Sequence, residues 1–207
     1  DPIWAERLEK VAFNALPATL SDDMWTHQYD QQVNQIACKE FPGKSYFRTN
    51  GKEAHLFGLE PHFGCCTSNF HQGWPKLLWN VFSEEEGIEC NLMLPATYET
   101  NISGVGVKIT LITEYPFRHS CRYIVEAEEP VEFQLKVRIP KWSKQYKYNE
   151  QVKENDGYLV LKQRWEKKQE FTLTLFDTPH FVDRPMGLKV VEYGPLVFSL
   201  PIEAKYE

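Results

Sequence analysis

The chain has 207 residues and a formal net charge of −6, and charged residues make up 25% of its composition. Its hydrophobic content of 42% is typical of a folded globular protein and excludes a disordered chain. The acidic balance excludes binding of nucleic acid through a basic surface, and no apolar run approaches the roughly 18–20 residues of a membrane span. We therefore expect neither nucleic acid nor a membrane as a partner.

The first predicted element is a helix over residues 3–16. Asp1 is its predicted N-cap, Pro2 occupies the first helical position, and Pro17 ends the helix. Apolar residues at helical spacing form one stripe, while the charged residues lie mostly off it. The stripe consists of Trp4, Leu8, Val11, Ala12 and Ala15. Because the sequence starts directly in a helix, we expect the chain to begin inside a fold.

Residues 18–63 are irregular and polar, and so long a loop in a compact domain is usually functional. Its segment 27–35, HQYDQQVNQ, is rich in side chains that donate and accept hydrogen bonds, which suits a polyhydroxylated ligand. From this segment alone, however, a solvated loop is the favoured interpretation.

A second helix is predicted after the adjacent cysteines at positions 65 and 66. Its apolar face would consist of Phe70, Trp74, Leu77, Leu78 and Val81. Gly73 and Pro75 interrupt the pattern, so we expect a kink or a broken first turn. This helical piece, up to about residue 82, is too small to bury a core of its own.

From residue 88 onward the hydrophobic period changes to 2, which indicates half-buried antiparallel strands. The predicted strands cover 88–94, 105–113, 120–127, 131–139, 158–162, 170–176 and 188–200. The sequence Asn155-Asp156-Gly157 is a hairpin signal. Short strands separated by turns favour a β-sandwich.

The segment 58–76, GLEPHFGCCTSNFHQGWPK, is the most informative part of the chain. Cys65 and Cys66 follow a glycine and precede Thr-Ser-Asn, a pattern that predicts a helix start. A thiol there faces unpaired N–H groups and the positive end of the helix dipole, which favour the thiolate, the form that attacks electrophiles and binds soft metals. Cys90 and Cys121 are expected to be ordinary small apolar residues on strands. Five irregularly spaced cysteines indicate a reducing, cytoplasmic setting rather than a disulfide framework.

The residues alone leave several roles open for the cysteine pair. It supplies two of the four donors of a structural zinc, and Cys38, Glu60, His62 and His71 are further candidates without a standard ligand spacing. Alternatively, one thiol acts as a nucleophile paired with His62 or His71. Buried inert thiols and a strained vicinal disulfide are the alternatives without a catalytic role.

The segment 59–76 resembles glycoside hydrolase family 127, the β-L-arabinofuranosidase-like proteins. Similar stretches occur at 4–17, 27–35 and 193–197, so the resemblance covers essentially the whole chain. It implies a multidomain α + β fold, in which the end of an (α/α)6 barrel (residues 1–82) is followed by an antiparallel β-sandwich (residues 83–207). We expect the sandwich to be incomplete at its C-terminus.

The resemblance also implies a chemistry for the pair. Cys65 would be the nucleophile of a retaining glycosidase that forms a covalent thioglycosyl intermediate, and Cys65 and Cys66 would both bind zinc. Position near the pair is the only reason to expect five further residues to bind substrate. These are Glu60, His62, Asn69, His71 and Gln72.

Two functional parts of the family are missing from this sequence. The family's other zinc ligands form a Glu-x-Cys motif upstream of the pair, and its general acid also lies upstream, whereas this chain contains no Glu-x-Cys. We therefore expect an internal fragment, inactive alone, of a hydrolase that releases L-arabinofuranose or a related sugar from plant cell-wall glycans. The rival interpretations are a non-catalytic carbohydrate-binding β-sandwich module and a redox-sensing thiol pair.

Overall fold

The computed structural model of the chain describes residues 2–35, 38, 39, 54, 56–58 and 64–200. The N-terminal helix α1 (Pro2–Lys10) continues through a π-helical turn (Val11–Ala15) into α2 (Leu16–Ala18). Further along the chain are α3 (Gly64–Asn69), a 3-10 turn (Phe70–Gln72) and α4 (Gly73–Trp79). The chain divides into two compact units, one of Asp1–Glu9 and Pro75–Thr178 and the other of Lys10–Trp74 and Pro179–Glu207.

The N-terminal helix is present but differs from its prediction at its end and on its buried side. It extends to Ala18, so Pro17 lies inside the last turn, two residues after the end of the π-helical turn in which the hydrogen-bond register changes. Glu9, which was expected off the apolar stripe, is only 1% exposed. Ala12 is the one buried member of the stripe, and the exposed members are Trp4, Leu8, Val11 and Ala15. The predicted N-cap, Asp1, lies outside the described residues.

The first unit contains a β-sandwich. Its strands are β1 (Phe82–Glu84), β2 (Ile88–Cys90), β3 (Ala96–Ile102), β4 (Val105–Thr113), β5 (Ser120–Ala127), β6 (Val131–Arg138), β7 (Gln145–Tyr148), β8 (Gln151–Glu154), β9 (Tyr158–Trp165) and β10 (Lys168–Leu175). One sheet has the order β1-β2-β6-β9 and the other β3-β4-β5-β10-β7-β8. The Cys90 Sγ on β2 lies 3.5 Å from the Tyr123 hydroxyl on β5, so the two sheets face each other across a buried core.

The strands with clear apolar alternation are confirmed. The predictions at 105–113 and 120–127 agree with β4 and β5, and 131–139 agrees with β6 to within one residue. The prediction 88–94 was too long, because only Ile88–Cys90 pairs as a strand. The sequence pattern missed β3 because its residues alternate between half-buried and exposed, without a fully buried position.

Two predicted features of the sandwich are wrong. The turn at Asn155–Gly157 does not close a hairpin, because β8 pairs with β7 in one sheet and β9 pairs with β6 in the other. Asn155 donates to the carbonyls of Pro140 (2.9 Å) and Ser143 (2.7 Å), which directs the chain from one sheet to the other. The sandwich is also not wholly antiparallel, since β2 runs parallel to β6 after an excursion through the opposite sheet.

A buried ionic cluster joins α1 to the sandwich within the first unit. Arg138 and Glu9 are almost fully buried, and the Arg138 Nη2 lies 2.7 Å from the Glu9 Oε2. Arg138 also contacts Glu6 Oε1 at 2.9 Å, and the Tyr115 hydroxyl donates to Glu9 Oε2 at 3.1 Å. Burial raises the pKa of Glu9, although Arg138 opposes this effect. A buried pair of this kind fixes the helix in one position because neither charge tolerates isolation.

The second unit contains a small antiparallel sheet of β11 (His180–Asp183), β12 (Lys189–Tyr193) and β13 (Leu196–Phe198). The single strand predicted at 188–200 is therefore two strands, separated at Gly194, where φ is 56°. Asn14 connects the helical segment to β13, because its Nδ2 donates to the Pro195 carbonyl (2.9 Å) and its Oδ1 accepts from the Val197 N–H (2.7 Å).

Candidate functional site

The cysteine pair lies in the first turn of α3, which begins at Gly64, so the predicted helix start is confirmed. Both side chains are exposed free thiols, and their Sγ atoms are 3.8 Å apart. A disulfide requires a separation of about 2.05 Å, so no vicinal disulfide is present. The exposure also excludes the alternative of two buried thiols and leaves both sulfur atoms accessible to a metal or an electrophile.

Polar side chains of α3 bond to the carbonyls of its own first turn. The Ser68 hydroxyl donates to the Gly64 carbonyl at 2.8 Å, and the Asn69 Nδ2 donates to the Cys65 carbonyl at 2.7 Å. The Gln72 Nε2 in turn donates to the Asn69 Oδ1 at 2.6 Å. The structure thus connects Asn69 directly, and Gln72 through Asn69, to the Cys65 backbone; both are among the predicted substrate-binding residues.

The other predicted substrate-binding residues do not join this arrangement. His71 is exposed in the 3-10 turn after α3, and no hydrogen bond connects it to either thiol among the described residues. Glu60 and His62 lie outside the described residues. Their expected contribution, including a Cys–His pair with His62, stays a prediction.

His27 contacts the cysteine helix, a role that the sequence did not indicate. Its Nε2 lies 3.4 Å from the Thr67 Oγ1, one residue after Cys66. The His27 backbone is held by reciprocal hydrogen bonds with Gly58 at 3.0 and 3.1 Å, and its ring packs edge-on against Tyr29. His27 and the next residue, Gln28, are only 8% and 6% exposed, so the interpretation of this segment as a solvated loop is wrong for both.

The donor type and spacing of the pair fit a zinc ion. Two thiolates bound to one tetrahedral zinc at about 2.3 Å each are about 3.8 Å apart. The Sγ atoms of Cys65 and Cys66 already have this separation. In the described part of the chain, no group of three or more His, Cys, Asp or Glu side chains is placed to hold a metal. The pair would therefore supply two of the four donors that a structural zinc needs.

The cysteines of the sandwich have a different environment. Cys90 on β2 and Cys121 on β5 are buried, as predicted for apolar residues on strands. Burial raises the pKa of Cys90 to about 12 and that of Cys121 to about 11. Both thiols are therefore kept neutral, and they take part in packing rather than in chemistry.

The sequence of the sandwich carries a family signature. Residues 87–176 match the family described as Beta-L-arabinofuranosidase, GH127 middle domain. The match shows a similarity of the sandwich to this family. The match begins just before β2 and ends just after β10, so it covers most of the sandwich, and it confirms the resemblance to glycoside hydrolase family 127.

Three solved structures share the fold of this chain. A GH127 beta-L-arabinofuranosidase from Geobacillus stearothermophilus T6 superposes with a TM-score of 0.77 at 20% sequence identity, covering 95% of this chain and 32% of that chain. A second structure, a glycoside hydrolase, has a TM-score of 0.74 at 21% identity over 95% and 34% of the two chains. A third, a GH127 beta-arabinofuranosidase, has a TM-score of 0.68 at 22% identity over 95% and 33%.

The GH127-like chain spans about a third of the length of these solved structures. A search of curated proteins finds no match to it. None of the helices in the described ranges combines the length and the apolar character needed to cross a membrane.

Proposed function

We propose that this chain is part of a retaining, zinc-thiolate glycosidase that releases L-arabinofuranose or a related sugar from plant cell-wall glycans. The observation that carries the proposal is the exposed Cys65–Cys66 pair, with its Sγ atoms 3.8 Å apart, at the start of a helix shortly before a GH127 middle domain. The similar structure from Geobacillus is that of a beta-L-arabinofuranosidase, which supports the substrate class.

In this proposal the thiolate of Cys65 attacks the anomeric carbon of the sugar. A carbon–sulfur bond forms as the bond to the leaving oxygen breaks, and an acid outside this chain protonates that oxygen. Water then attacks the same carbon and gives its proton to the conjugate base of that acid, and the carbon–sulfur bond breaks, which returns the thiolate. Two successive displacements retain the anomeric configuration, as in retaining glycosidases that use a carboxylate nucleophile.

Cys65 and Cys66 would hold the zinc, with the remaining two ligands supplied by the longer parent protein. A bound zinc keeps a coordinating thiol deprotonated at neutral pH. The exposure of both sulfur atoms supports this role, because further ligands and a substrate need access to them.

The apolar faces of the helices support their assignment to the end of an (α/α)6 barrel. Trp4 and Val11 in the N-terminal helical segment are 65% and 57% exposed, and Trp79 in α4 is 85% exposed. Large apolar side chains at such exposure mark surfaces that pack against a partner. We propose that further helices of the parent cover them and that residues 1–82 belong to its barrel and 83–207 to its sandwich.

The test uses the parent protein and an aryl β-L-arabinofuranoside as substrate. Cys65→Ala should lower kcat by about 10⁴-fold or more, because it removes the nucleophile, while the melting temperature stays close to that of the wild type. Cys66→Ala should lose zinc, measured by elemental mass spectrometry, together with activity. Cys121→Ala, which removes a buried thiol of the sandwich, is the matched control and should retain both.

Turnover by the Cys65→Ala variant would overturn the nucleophile assignment. Sugar binding that is unchanged by Cys65→Ala, in a parent that holds no zinc and hydrolyses nothing, would favour a carbohydrate-binding module. Hydrolysis of an arabinofuranoside by the isolated 207-residue chain at enzyme-like rates would show that this chain does not lack an acid.

A further inference from the structure

The end of α3 departs from regular helical geometry at Asn69. Its backbone has φ −103° and ψ −10°, and the α-helix changes there to a 3-10 turn. At such a change the carbonyls of the preceding turn lose regular partners. The Asn69 Nδ2 donates to the Cys65 carbonyl at 2.7 Å, so a side chain holds the peptide group that carries the Cys65 side chain.

The orientation of the Asn69 amide is itself fixed. The Gln72 Nε2 donates to the Asn69 Oδ1 at 2.6 Å. A carboxamide donates hydrogen bonds through its nitrogen and accepts them through its oxygen. Only one orientation of the Asn69 amide therefore accepts from Gln72 and also donates to the Cys65 carbonyl. Gln72 therefore selects the orientation of Asn69 that bonds to Cys65.

We propose that Asn69 is a positioning residue for Cys65 and that Gln72 orients Asn69 for this task. The bond from Asn69 limits rotation of the Cys65 peptide plane and thereby helps to hold the two Sγ atoms at the separation that one metal ion requires. The catalytic consequence rests on the proposed function, whereas the effect on the geometry of the thiol pair does not.

Binding of Cd²⁺ to the 207-residue chain tests the proposal without catalysis. Cd²⁺ bound to thiolates absorbs in the ultraviolet, so titration of that absorbance gives the Kd. A Cys38→Ala background removes the other exposed thiol, and Cys65→Ala and Cys66→Ala establish that the signal comes from the pair. Asn69→Ala should weaken Cd²⁺ binding by about 2- to 10-fold, the equivalent of one lost hydrogen bond.

Asn69→Ser is the matched rescue. In the same helix the Ser68 hydroxyl donates to the carbonyl four residues earlier at 2.8 Å, so a serine at position 69 can reach the Cys65 carbonyl in the same way. Asn69→Ser should therefore restore the wild-type Kd to within about 2-fold. Gln72→Ala should have a smaller effect than Asn69→Ala, because it acts only through Asn69.

The outcomes separate positioning from general stability and from the proposed enzyme function. Equal Cd²⁺ affinity in wild type and Asn69→Ala would overturn the positioning role, whatever the activity of the parent. Equal weakening by Ala and Ser, in proportion to a loss of melting temperature, would also overturn it in favour of helix stability. In the parent enzyme, Asn69→Ala should lower kcat with little change in KM, and Asn69→Ser should recover kcat.

Discussion

The two pairs of cysteines that lie in well-defined elements show how environment decides the use of one residue type. Cys90 and Cys121 are buried between the sheets, and burial raises the pKa of each thiol to about 12 and about 11. Cys65 and Cys66 are exposed in the first turn of a short helix. The first pair stabilises a core, whereas the second is available to a metal or an electrophile.

The β-sandwich and the cysteine helix α3 are also stabilised by different interactions. The sandwich is held by alternating apolar residues and by one buried ionic cluster around Arg138. The cysteine helix is held by hydrogen bonds from exposed or half-buried side chains, among them Asn69 and Thr67. Water competes for such bonds, so each one contributes little to the free energy of unfolding. The cysteine helix therefore tolerates fewer changes in its polar residues.

The largest expected difference between the two pairs is their rate of alkylation. A change in thiol pKa from 9.0 to about 12 lowers the thiolate fraction of Cys90 about 1,000-fold, since each unit is a factor of ten. Iodoacetamide at about pH 8 should therefore modify Cys65 and Cys66 and leave Cys90 and Cys121 unmodified over the same period. Peptide mass spectrometry measures the time course, and unfolding in urea, which should expose all the cysteines, is the control. Modification of Cys90 at the rate of Cys65 in the folded protein would refute the comparison.

The next largest effect should come from breaking the ionic cluster of the sandwich. Arg138→Met leaves the buried carboxylate of Glu9 without its cation, so the free energy of unfolding should fall by about 3–5 kcal/mol. Arg122→Met is the matched control, because the Arg122–Glu170 pair has side chains that are 53% and 35% exposed and should contribute far less to stability than the buried pair. Urea unfolding measures both values, and equal losses in the two variants would contradict the assigned role of burial.

A smaller effect should appear in the pH dependence of stability. The pKa of Glu9 in the folded chain is above its ordinary value of 4.5, chiefly because of burial. The folded state then holds the proton more tightly than the unfolded state, so the stability from Glu9 is complete below pH 4.5 and declines as the pH rises through the folded pKa. Wild type should therefore lose stability relative to Glu9→Gln as the pH increases from 4.5. The opposite slope in urea unfolding would mean that attraction to Arg138 outweighs burial.

The sequence predicts those parts of the fold in which local pattern and tertiary environment agree. Strands β4, β5 and β6 alternate between buried and exposed side chains, and their bounds follow from the period alone. The sequence does not predict β7 and β8, whose turn places Asn149 and Glu150 at positive φ without the usual glycine. The sequence pattern also puts Glu9 on the polar side of its helix. Its buried partner Arg138 is far away in the sequence, so a local pattern cannot include it.

In the candidate site, too, the sequence predicts local structure but not the contacts made by particular side chains. The run Gly64–Asn69 predicts a helix start with two thiols in its first turn, and the structure has it. The bond of Asn69 to the Cys65 carbonyl depends on a side-chain rotamer at the helix end, which residue types do not specify. The contact between Thr67 and His27 joins positions 40 residues apart, and only the folded chain brings them together.

The cluster that fixes α1 to the sandwich has a consequence for synthesis. Arg138 follows Glu6 by 132 residues in the sequence. At a synthesis rate of about 5–20 residues per second, Glu6 therefore emerges from the ribosome roughly 7–26 s before Arg138. During that interval the carboxylate of Glu9, which is buried in the folded chain, lies without its cation. The order of translation therefore delays the attachment of α1 to the sandwich until β6, which carries Arg138, has been made.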